Sequence, residues 1–446
     1  MSGAKTQLRR PLDARLTADA GERRYPEDRV SEHMAAGARL LALSLPLAAL
    51  SCHSGATMGP TGPAQSGRAL GEAVHYSSNN IWVGKTAIAD LNGDGRNDVI
   101  TIESTNSPQR MLIYYQNASG TLDAAVVVTV PDVLISSVAV GDLNHDGKAD
   151  VAVSGTAISA LSGFLGRALV YYQNATSGTL SLGKVDTVSS QSVGDLAIAD
   201  LDGDGRNDLV VAALWQVQPG QGRLSIFYQN QDGTLGPEHV YDNVGVIAGE
   251  IRVADVTGDG RNDIVLQNDL LSLAVITQKA DGTLNPVPHT YAVQTSYWTT
   301  FYSFAVGDVN GDGRNDVVVL DPGNNGYLNV FLQSAQGTLV RTLPDTLADI
   351  PYGIQIADIN SDGLNDLIAD ETVPGVPTAV GAVLVFYQRT DHTFSAPTRY
   401  TFPTMSGGGS FVHQALSIGD VTGDGWPDAV MTWANEGLWV LPSVAK

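Results

Sequence analysis

The segment DLNGDGRND, from Asp90 to Asp98, recurs with small changes seven times along this 446-residue chain. Aspartate stands at positions one, five and nine of every copy, and glycine stands at position six. Seven loops that share one frame indicate that the chain is built from repeats. The other copies are DLNHDGKAD from Asp142, DLDGDGRND from Asp200, DVTGDGRND from Asp255, DVNGDGRND from Asp308, DINSDGLND from Asp358 and DVTGDGWPD from Asp420.

Each loop has the composition of a cation site. Oxygen atoms at positions one, three and five, a backbone carbonyl near position seven and a carboxylate at position nine suit a hard cation, with calcium the first candidate. The glycine permits the sharp turn that brings these oxygens together. Ordinary Asn-Gly and Asp-Gly turns are the alternative, but they leave the third carboxylate unexplained, because crowded carboxylates repel one another. An EF-hand needs glutamate at position twelve, where the first two copies have Thr101 and Val153.

The loops hold nearly half of the acidic residues of the chain. The formal net charge is −22, and the loops contain 22 of the 47 acidic residues, three in each copy plus Asp202. Seven bound divalent cations would bring the net charge to about −8. The acidity is therefore mostly that of cation ligands, and it argues against a nucleic acid partner.

The sequences around each loop predict β-strands. An apolar run such as TAIAD enters the loop, and a β-branched run such as DVIT leaves it. A third apolar run such as MLIYYQN follows, then a tight turn that is usually Gly-Thr-Leu, then a looser fourth strand. Successive loops begin 50 to 62 residues apart. Four antiparallel strands per period form a propeller blade, so we predict an all-β fold, a seven-bladed β-propeller of four-stranded antiparallel blades.

The two ends of the repeat region predict how the ring closes. The last period stops after its third strand, in GLWVLPSVAK. The segment from Gly67, GRALGEAVHYSSNN, resembles the turn and fourth strand GTLGPEHVYDNVG from Gly233. We therefore expect the last blade to be closed by an N-terminal strand, which would cover two sheet edges.

These loops and strands resemble the FG-GAP and VCBS repeats of the integrin alpha-chain propeller and its bacterial relatives, over residues 67–446. The resemblance implies calcium in the loop between the first and second strands, on the lower face, and partner binding by connections on the upper face. The Phe-Gly and Gly-Ala-Pro halves that name the integrin-type repeat are missing, so integrin-like ligand recognition is not implied.

Carried over by position, the resemblance implies up to seven calcium ions held by side chains at loop positions one, three, five and nine. Thr257 and Thr422 replace Asn or Asp at position three, so the fourth and seventh sites are expected to be weaker. The implied ligands are Asp90, Asn92, Asp94, Asp98, Asp142, Asn144, Asp146, Asp150, Asp200, Asp202, Asp204, Asp208, Asp255, Thr257, Asp259, Asp263, Asp308, Asn310, Asp312, Asp316, Asp358, Asn360, Asp362, Asp366, Asp420, Thr422, Asp424 and Asp428.

The N-terminal region predicts export. Residues 34–51 read as a signal peptide with an eleven-residue apolar run, too short to span a bilayer. Cys52, the only cysteine, follows a lipoprotein-like box and is the predicted lipidation site at the cell envelope. The alternative is a secreted protein cut near Ala49 or Ala56. Residues 1–33 are expected to be either a disordered extension or an untranslated one, in which case Met34 is the true start. Residues 52–66 are expected to be a flexible tether.

The connections opposite the cation loops contain aromatic residues beside amides, which suits stacking on a sugar or on a protein partner. Packing between blades is the alternative for each of them. The candidate ligand-binding residues are Trp82, Trp215, Tyr297, Trp298 and Trp433.

The predicted function is an exported, monomeric, calcium-binding adhesion or ligand-binding module whose only membrane contact is a lipid anchor. The eight histidines are scattered, and no nucleophile elbow, phosphate-cradling loop or zinc-binding CxxC is present in the sequence. We therefore expect no enzymatic activity. A calcium-dependent carbohydrate-active enzyme on a propeller scaffold and a structural subunit of an envelope complex are the competing hypotheses.

Overall fold

The fold is described from a computed structural model of the chain. The structure describes residues 67–78, 83–103, 109–159, 163–174, 176–215, 222–242, 244, 250–269, 271–295, 303–321, 327–342, 345–346, 351–373, 380–402, 415–433 and 437–446. The predicted extension, signal peptide, lipidation site and tether lie outside the described residues, as do Trp82, Tyr297 and Trp298. In the described part of the chain, no helix has the length and hydropathy needed to cross a bilayer.

The first four blades are antiparallel sheets whose strands follow one another in chain order. Two short strands precede them, β1 (Arg68–Leu70) and β2 (Val74–Ser77). Blade one has β3 (Val83–Ala89), β4 (Asp98–Glu103), β5 (Gln109–Tyr114) and β6 (Val126–Val130); blade two has β7 (Leu134–Gly141), β8 (Asp150–Ser159), β9 (Gly163–Gln173) and β10 (Leu180–Val188); blade three has β11 (Ser192–Ala199), β12 (Asp208–Trp215), β13 (Arg223–Phe227) and β14 (His239–Asp242); blade four has β15 (Ile251–Ala254), β16 (Asp263–Asp269), β17 (Ser272–Ile276) and β18 (His289–Ala292).

The remaining blades repeat this plan with two variations. In blade five the outer strand is split in two, and both pieces pair with the same third strand. Blade five has β19 (Ser303–Gly307), β20 (Asp316–Leu320), β21 (Tyr327–Gln333), β22 (Leu339–Arg341) and β23 (Asp345–Thr346); blade six has β24 (Pro351–Ala357), β25 (Asp366–Val373), β26 (Val380–Phe386) and β27 (Thr398–Thr401); blade seven has β28 (Leu416–Gly419), β29 (Asp428–Trp433) and β30 (Gly437–Leu441), followed by β31 (Ser443–Ala445).

The seventh blade takes its outer strand from the start of the described chain. Strand β2 pairs with β30, with Val74 opposite Val440, so the sheet order is β2-β30-β29-β28. Strand β1 pairs with β31 in a small separate sheet. The first strands of the seven blades contact one another in cyclic order, and β28 of the last blade contacts β3 of the first. The prediction of a seven-bladed all-β propeller is therefore confirmed.

The core consists of apolar layers between neighbouring blades. The second strands carry β-branched runs that are buried on both faces, as in β4 and β20, where every residue is buried. One buried cluster joins Val99 and Leu112 of blade one to Val430 and Val440 of blade seven. Apolar packing of this kind is the main stabilising contribution to the closed ring.

The position of each cation loop is fixed by strand register. In every blade, the residue before loop position one pairs with the aspartate at position nine, as Ala89 does with Asp98 and Ala199 with Asp208. Each loop therefore closes a hairpin between the first and second strands. Because the seven blades are arranged in a ring, all seven loops lie on one face.

Candidate metal centres

The aspartate at loop position one organises the backbone of its own loop. In the first copy, Oδ1 of Asp90 accepts hydrogen bonds from the N–H groups of Gly93, at 2.6 Å, and Asp94, at 3.1 Å. Its Oδ2 atom accepts one from the N–H of Gly95 at 2.8 Å. Gly95 has a φ of 84°, in the left-handed region that glycine favours. Equivalent bonds from the glycine at position six, 2.7 to 2.8 Å long, are present in the other six loops.

The aspartate at position nine is completely buried in every copy. In loop three, Oδ2 of Asp208 accepts a hydrogen bond from the N–H of Leu201, at 2.8 Å, and Oδ1 accepts one from the N–H of Gln229, also at 2.8 Å. Burial raises the pKa of this carboxyl to about 7, against the opposing effect of the two hydrogen bonds. A cation beside it would offset the burial cost and keep it ionised.

The same shift recurs around the ring, with burial as its main cause. The pKa is raised to about 6 for Asp98, Asp150, Asp263 and Asp316 and to about 7 for Asp366, and it is also raised for Asp428.

Loop three brings three carboxylates together. Oxygen atoms of Asp200, Asp202 and Asp208, from positions one, three and nine, all lie within 4.8 Å of one another. In loops one, two, five and six, position three is asparagine, whose amide oxygen accepts the N–H of position five at 2.9 to 3.0 Å. In loop four, the hydroxyl of Thr257 donates to Oδ2 of Asp263 at 3.0 Å. An all-oxygen set of this kind fits a hard cation such as calcium.

The aspartate at position five is held mainly by position seven. Oδ1 of Asp94 accepts the N–H of Arg96 at 3.0 Å, and Oδ2 pairs with the guanidinium of the same arginine. Nε of Arg96 donates to the carbonyl of Gln116 at 3.1 Å. Loops three, four and five repeat this arrangement. Position five thus lies exposed at the outer side of these four loops, while in loop three positions one, three and nine come together on the inner side.

Loop seven has a different partner for position five. Trp426 replaces the arginine at position seven, and Arg68 of β1 supplies the guanidinium instead. Nη2 of Arg68 lies 2.6 Å from Oδ2 of Asp424, and the guanidinium carbon lies 4.5 Å from the centre of the Trp426 ring. Nε of Arg68 also donates to Oγ of Ser443 at 3.0 Å. The N-terminal strand therefore completes the ion pair that the seventh loop cannot make by itself.

Two residue types that the sequence analysis left without a role contact the neighbouring loop. They are the asparagine at loop position eight and the glutamine that ends the third strand in YQN and its variants. In blade three, Nδ2 of Asn207 and Nε2 of Gln229 both donate to the carbonyl of Asp142, in the loop of blade two, at 3.3 and 3.4 Å. Their recurrence at fixed positions was visible in the sequence. Their partners were not, because they belong to another repeat.

The glycine of the Gly-Thr-Leu turn also faces the preceding blade. A Cβ atom added to Gly282 of blade four would lie 2.4 Å from the carbonyl oxygen of Asp202 in loop three. The same close approach occurs for Gly120, Gly178, Gly233 and Gly337, each against loop position three of the previous blade. The turn thus requires glycine both for its positive φ and for this contact.

Two of the five predicted ligand-binding aromatics, Trp215 and Trp433, lie among the described residues. Trp215 ends β12, where it pairs with Ser192. Trp433 is completely buried within the cluster that joins blades six and seven. A Cβ added to Gly381 of blade six would lie 2.7 Å from its ring. Trp433 therefore packs between blades and cannot offer a stacking face, which removes it from the predicted surface.

A separate charged cluster ties together the first strands of several blades. Nζ of Lys85 lies 2.5 Å from Oδ1 of Asp195 and 2.8 Å from Oγ of Ser137. The second carboxylate oxygen of Asp195 lies 3.6 Å from Nη1 of Arg252, whose Nη2 pairs with Glu250. Burial alone would raise the pKa of Asp195, but Lys85 and Arg252 hold it at about 2. This buried network lies outside the cation loops.

Comparison with known sequences finds the profile of the FG-GAP-like repeat at residues 90–153, 200–266, 255–319 and 308–369, which together make up more than half of the chain. Integrin alpha-IIb of Mus musculus is 34% identical over 151 residues, 29% of this chain and 14% of the integrin chain. Integrin alpha-5 of Xenopus laevis is 33% identical over 137 residues, 28% of this chain and 13% of the integrin. The chain therefore matches less than a fifth of the length of these relatives.

A longer sequence match and a structural match agree with the repeat profile. Integrin alpha pat-2 of Caenorhabditis briggsae is 28% identical over 221 residues, 42% of this chain and 18% of the integrin. The crystal structure of Saccharomyces cerevisiae Sqt1 superposes with a TM-score of 0.50, covering 84% of this chain and 100% of Sqt1, at 10% sequence identity. At that identity the likeness to Sqt1 concerns the fold alone.

Proposed function

The chain belongs to the FG-GAP-like repeat family, and we propose that it is an exported calcium-binding propeller that binds a partner through the face opposite its loops. Its fold is that of an integrin-alpha-like propeller, a scaffold consistent with a ligand-binding module. Calcium stiffens the loop face in this proposal, and the connections on the other face recognise a carbohydrate or a protein at the cell envelope.

The observation that carries the calcium proposal is the carboxylate group of loop three. Asp200, Asp202 and Asp208 place oxygen atoms within 4.8 Å of one another with Asp208 completely buried. Three carboxylates held this close without a cation repel one another, and burial adds a desolvation cost. Residues at positions one, three and nine would hold the ion, and the carbonyl near position seven and the Asp204 carboxylate are the further candidate ligands. When bound, the cation neutralises the loop and fixes its shape.

The metal proposal is tested by titrating the chelator-treated full chain with calcium and, separately, with magnesium. Isothermal titration calorimetry gives the number of sites. We expect several calcium ions per chain, up to seven, and weaker magnesium binding, because magnesium demands near-ideal octahedral geometry and releases its waters reluctantly. Asp200→Asn should remove one calcium ion from the count. Absence of measurable calcium binding to the folded protein would sink the proposal.

Partner binding is proposed for the face opposite the loops. The support is topological, since the Trp82 and Trp298 positions precede first strands while Trp215 is the last residue of a second strand. Aromatic side chains make large contributions to binding free energy at interfaces and sugar sites. Trp433, being buried, does not belong to this set.

A glycan array and an envelope-protein pull-down, each with calcium and with chelator, identify the partner class. Once a ligand is found, Trp298→Ala should weaken binding by about 1 to 3 kcal/mol with calcium affinity unchanged. Trp433→Phe is the matched control and should lower stability while leaving ligand affinity intact. Release of unsaturated or reducing sugars during the glycan assay would instead support the carbohydrate-active enzyme.

Export and anchoring form the remaining part of the proposal. The apolar run of residues 40–50 and the box that precedes Cys52 support a lipoprotein signal. Mass spectrometry of protein purified from membranes should find a lipid on Cys52. An unmodified N-terminus beyond Cys52 would favour the secreted form.

A further inference from the structure

In five of the seven blades, the asparagine at loop position eight reaches to the loop of the preceding blade. In blade one, Nδ2 of Asn97 donates to the carbonyl of Asp420, in loop seven, at 3.1 Å. In blade four, Nδ2 of Asn262 donates to the carbonyl of Asp200, in loop three, at 3.0 Å. Blades three, five and six repeat the contact through Asn207, Asn315 and Asn365. The acceptor is always the backbone of loop position one, whose side chain is a candidate cation ligand.

A buried glutamine of blade one lies beside loop seven. Gln116, which follows β5, is 2% exposed, and its Nε2 has no hydrogen-bond partner among the described residues. Its amide lies 3.5 to 3.6 Å from the place where a Cβ of Gly423, in loop seven, would be. A cleft of about 430 Å³ lies here between loop seven and blade one, lined by Asn97, Gln116, Asp420 and Thr422 among others. A buried amide with an unused hydrogen-bonding atom is expected to have a polar partner in the cleft it faces.

We propose that every cation site except that of loop six is completed by the following blade, and that the seventh site depends on Asn97 and Gln116 of blade one. This inference rests on the proposed calcium function. The hydrogen bond from Asn97 fixes the peptide plane after Asp420 and so orients its carboxylate. The free amide atom of Gln116 can hold a water molecule bound to the cation, a role typical of residues that contact a metal ligand rather than the metal.

The arrangement predicts an exception at loop six. Blade seven has Pro427 at position eight, and its third strand is followed by Pro442 and Ser443 where other blades have glutamine. Neither proline offers a side-chain amide, so the Asp358 carboxylate of loop six lacks the support given to the other loops. Blade two gives partial support to loop one. Ala149 stands at position eight of its loop, but Nε2 of Gln173 donates to the carbonyl of Asp90 at 2.9 Å.

Metal binding at loop seven can be measured separately from the other loops, because Trp426 stands at its position seven and no other loop has an aromatic residue there. Terbium takes oxygen ligands as calcium does and luminesces when a nearby tryptophan is excited. The experiment titrates terbium into the chelator-treated full chain and records tryptophan-sensitised luminescence. Trp426→Phe identifies the part of the signal that belongs to loop seven. Circular dichroism of each variant reports whether the propeller is folded.

Asn97→Ala should weaken terbium binding at loop seven about tenfold, and Gln116→Ala should weaken it in the same direction. Asn262→Ala removes the same amide at loop three, so it should lower the total terbium bound without changing the Trp426 signal. Equal affinity at loop seven in wild type and in folded Asn97→Ala and Gln116→Ala proteins would overturn the inference, as would an equal loss in Asn262→Ala. Absence of any Trp426 signal from the wild type would count instead against metal binding itself.

Discussion

Arg68 and Asp424, which lie 356 positions apart in the chain, form an ion pair of 2.6 Å between Nη2 and Oδ2. Arg68 belongs to β1 and Asp424 to loop seven, so the pair joins the first described strand to the last blade. Four other loops make the equivalent pair with an arginine of their own. The closure of the ring and the geometry of the seventh loop therefore share one side chain.

Arg68→Ala is predicted to destabilise the propeller by about 1 to 2 kcal/mol, because it removes an ion pair, the contact with the Trp426 ring and a hydrogen bond to Ser443. Arg223→Ala is the matched control, since Arg223 pairs with exposed Asp242 within one blade, and it should cost less than about 1 kcal/mol. Urea unfolding followed by circular dichroism measures both. Equal costs would show that Arg68 has no special part in closure.

Calcium removal is predicted to lower the melting temperature by more than a few degrees, because each loop then keeps uncompensated carboxylates. Asp202→Ala gives a sharper test than chelation alone. In calcium the variant should be less stable than the wild type, whereas in chelator it should be equally or more stable, because repulsion from Asp200 and Asp208 is relieved. Thr257→Ala, at the same position of loop four, should show no such reversal. Differential scanning calorimetry measures the melting temperatures of both proteins in both buffers. If Asp202→Ala is less stable than the wild type in chelator as well as in calcium, the metal site is contradicted.

Asp195→Asn is predicted to cost about 3 to 5 kcal/mol at neutral pH, since it removes the carboxylate that pairs with Lys85 and leaves Arg252 with Glu250 alone in the buried network. Asp242→Asn, an exposed partner in an ion pair, should cost less than about 1 kcal/mol. The folded pKa of Asp195, about 2, lies below the unfolded value of about 3.9. Its contribution is therefore present above about pH 4 and lost as the pH falls toward 2.

The difference in the free energy of unfolding between wild type and Asp195→Asn should consequently shrink by about 2 to 3 kcal/mol as the pH falls from about 4 to about 2. Urea unfolding at a series of pH values measures this difference. A difference in unfolding free energy that stays constant over that range would mean that the pKa of Asp195 is not lowered by its ion pairs.

Gly282→Ala is predicted to damage loop three although Gly282 lies in blade four. Its φ is 79°, and an added Cβ would lie 2.4 Å from the carbonyl oxygen of Asp202. Gly260 has a φ of 80° with nothing within 4 Å of its Cβ position, so Gly260→Ala should cost only about 1 kcal/mol. Gly282→Ala should cost about 1 to 3 kcal/mol more, because the collision adds to the strain. Thermal melts compare them, and equal costs would contradict the close approach between blades.

The blades could be predicted from the sequence because each repeat carries its own strands and its own loop. The pairing of Ala89 with Asp98 follows from a tight hairpin, and the same loop and strand pattern in seven repeats strengthens the prediction. Contacts between repeats were beyond the same reasoning. The donor to Asp420 is Asn97, 323 positions earlier in the chain, and only the closed ring makes them neighbours.

Side chains that interrupt a pattern were the hardest to interpret. Trp433 resembles an exposed aromatic in the sequence, yet its ring fills the space beside Gly381, which lies in the preceding blade. Lys85 and Asp195 lie in first strands with irregular register, where an alternating pattern no longer predicts which side of the sheet a residue faces. Their contacts depend on three-dimensional neighbours rather than on local propensity.

Gly67 and Lys446 are joined by a hydrogen bond from the N–H of Lys446 to the carbonyl of Gly67, 2.8 Å long. Gly67 adjoins Arg68, which pairs with Asp424 of loop seven, so a circular permutant of residues 67–446 could link Gly67 and Lys446 with a connector of a few residues and open the chain at an exposed turn instead. A chip or carrier coupled at either of these two residues would hold the propeller by its loop face. The opposite face would then point away from the support, where an added binding partner can reach it.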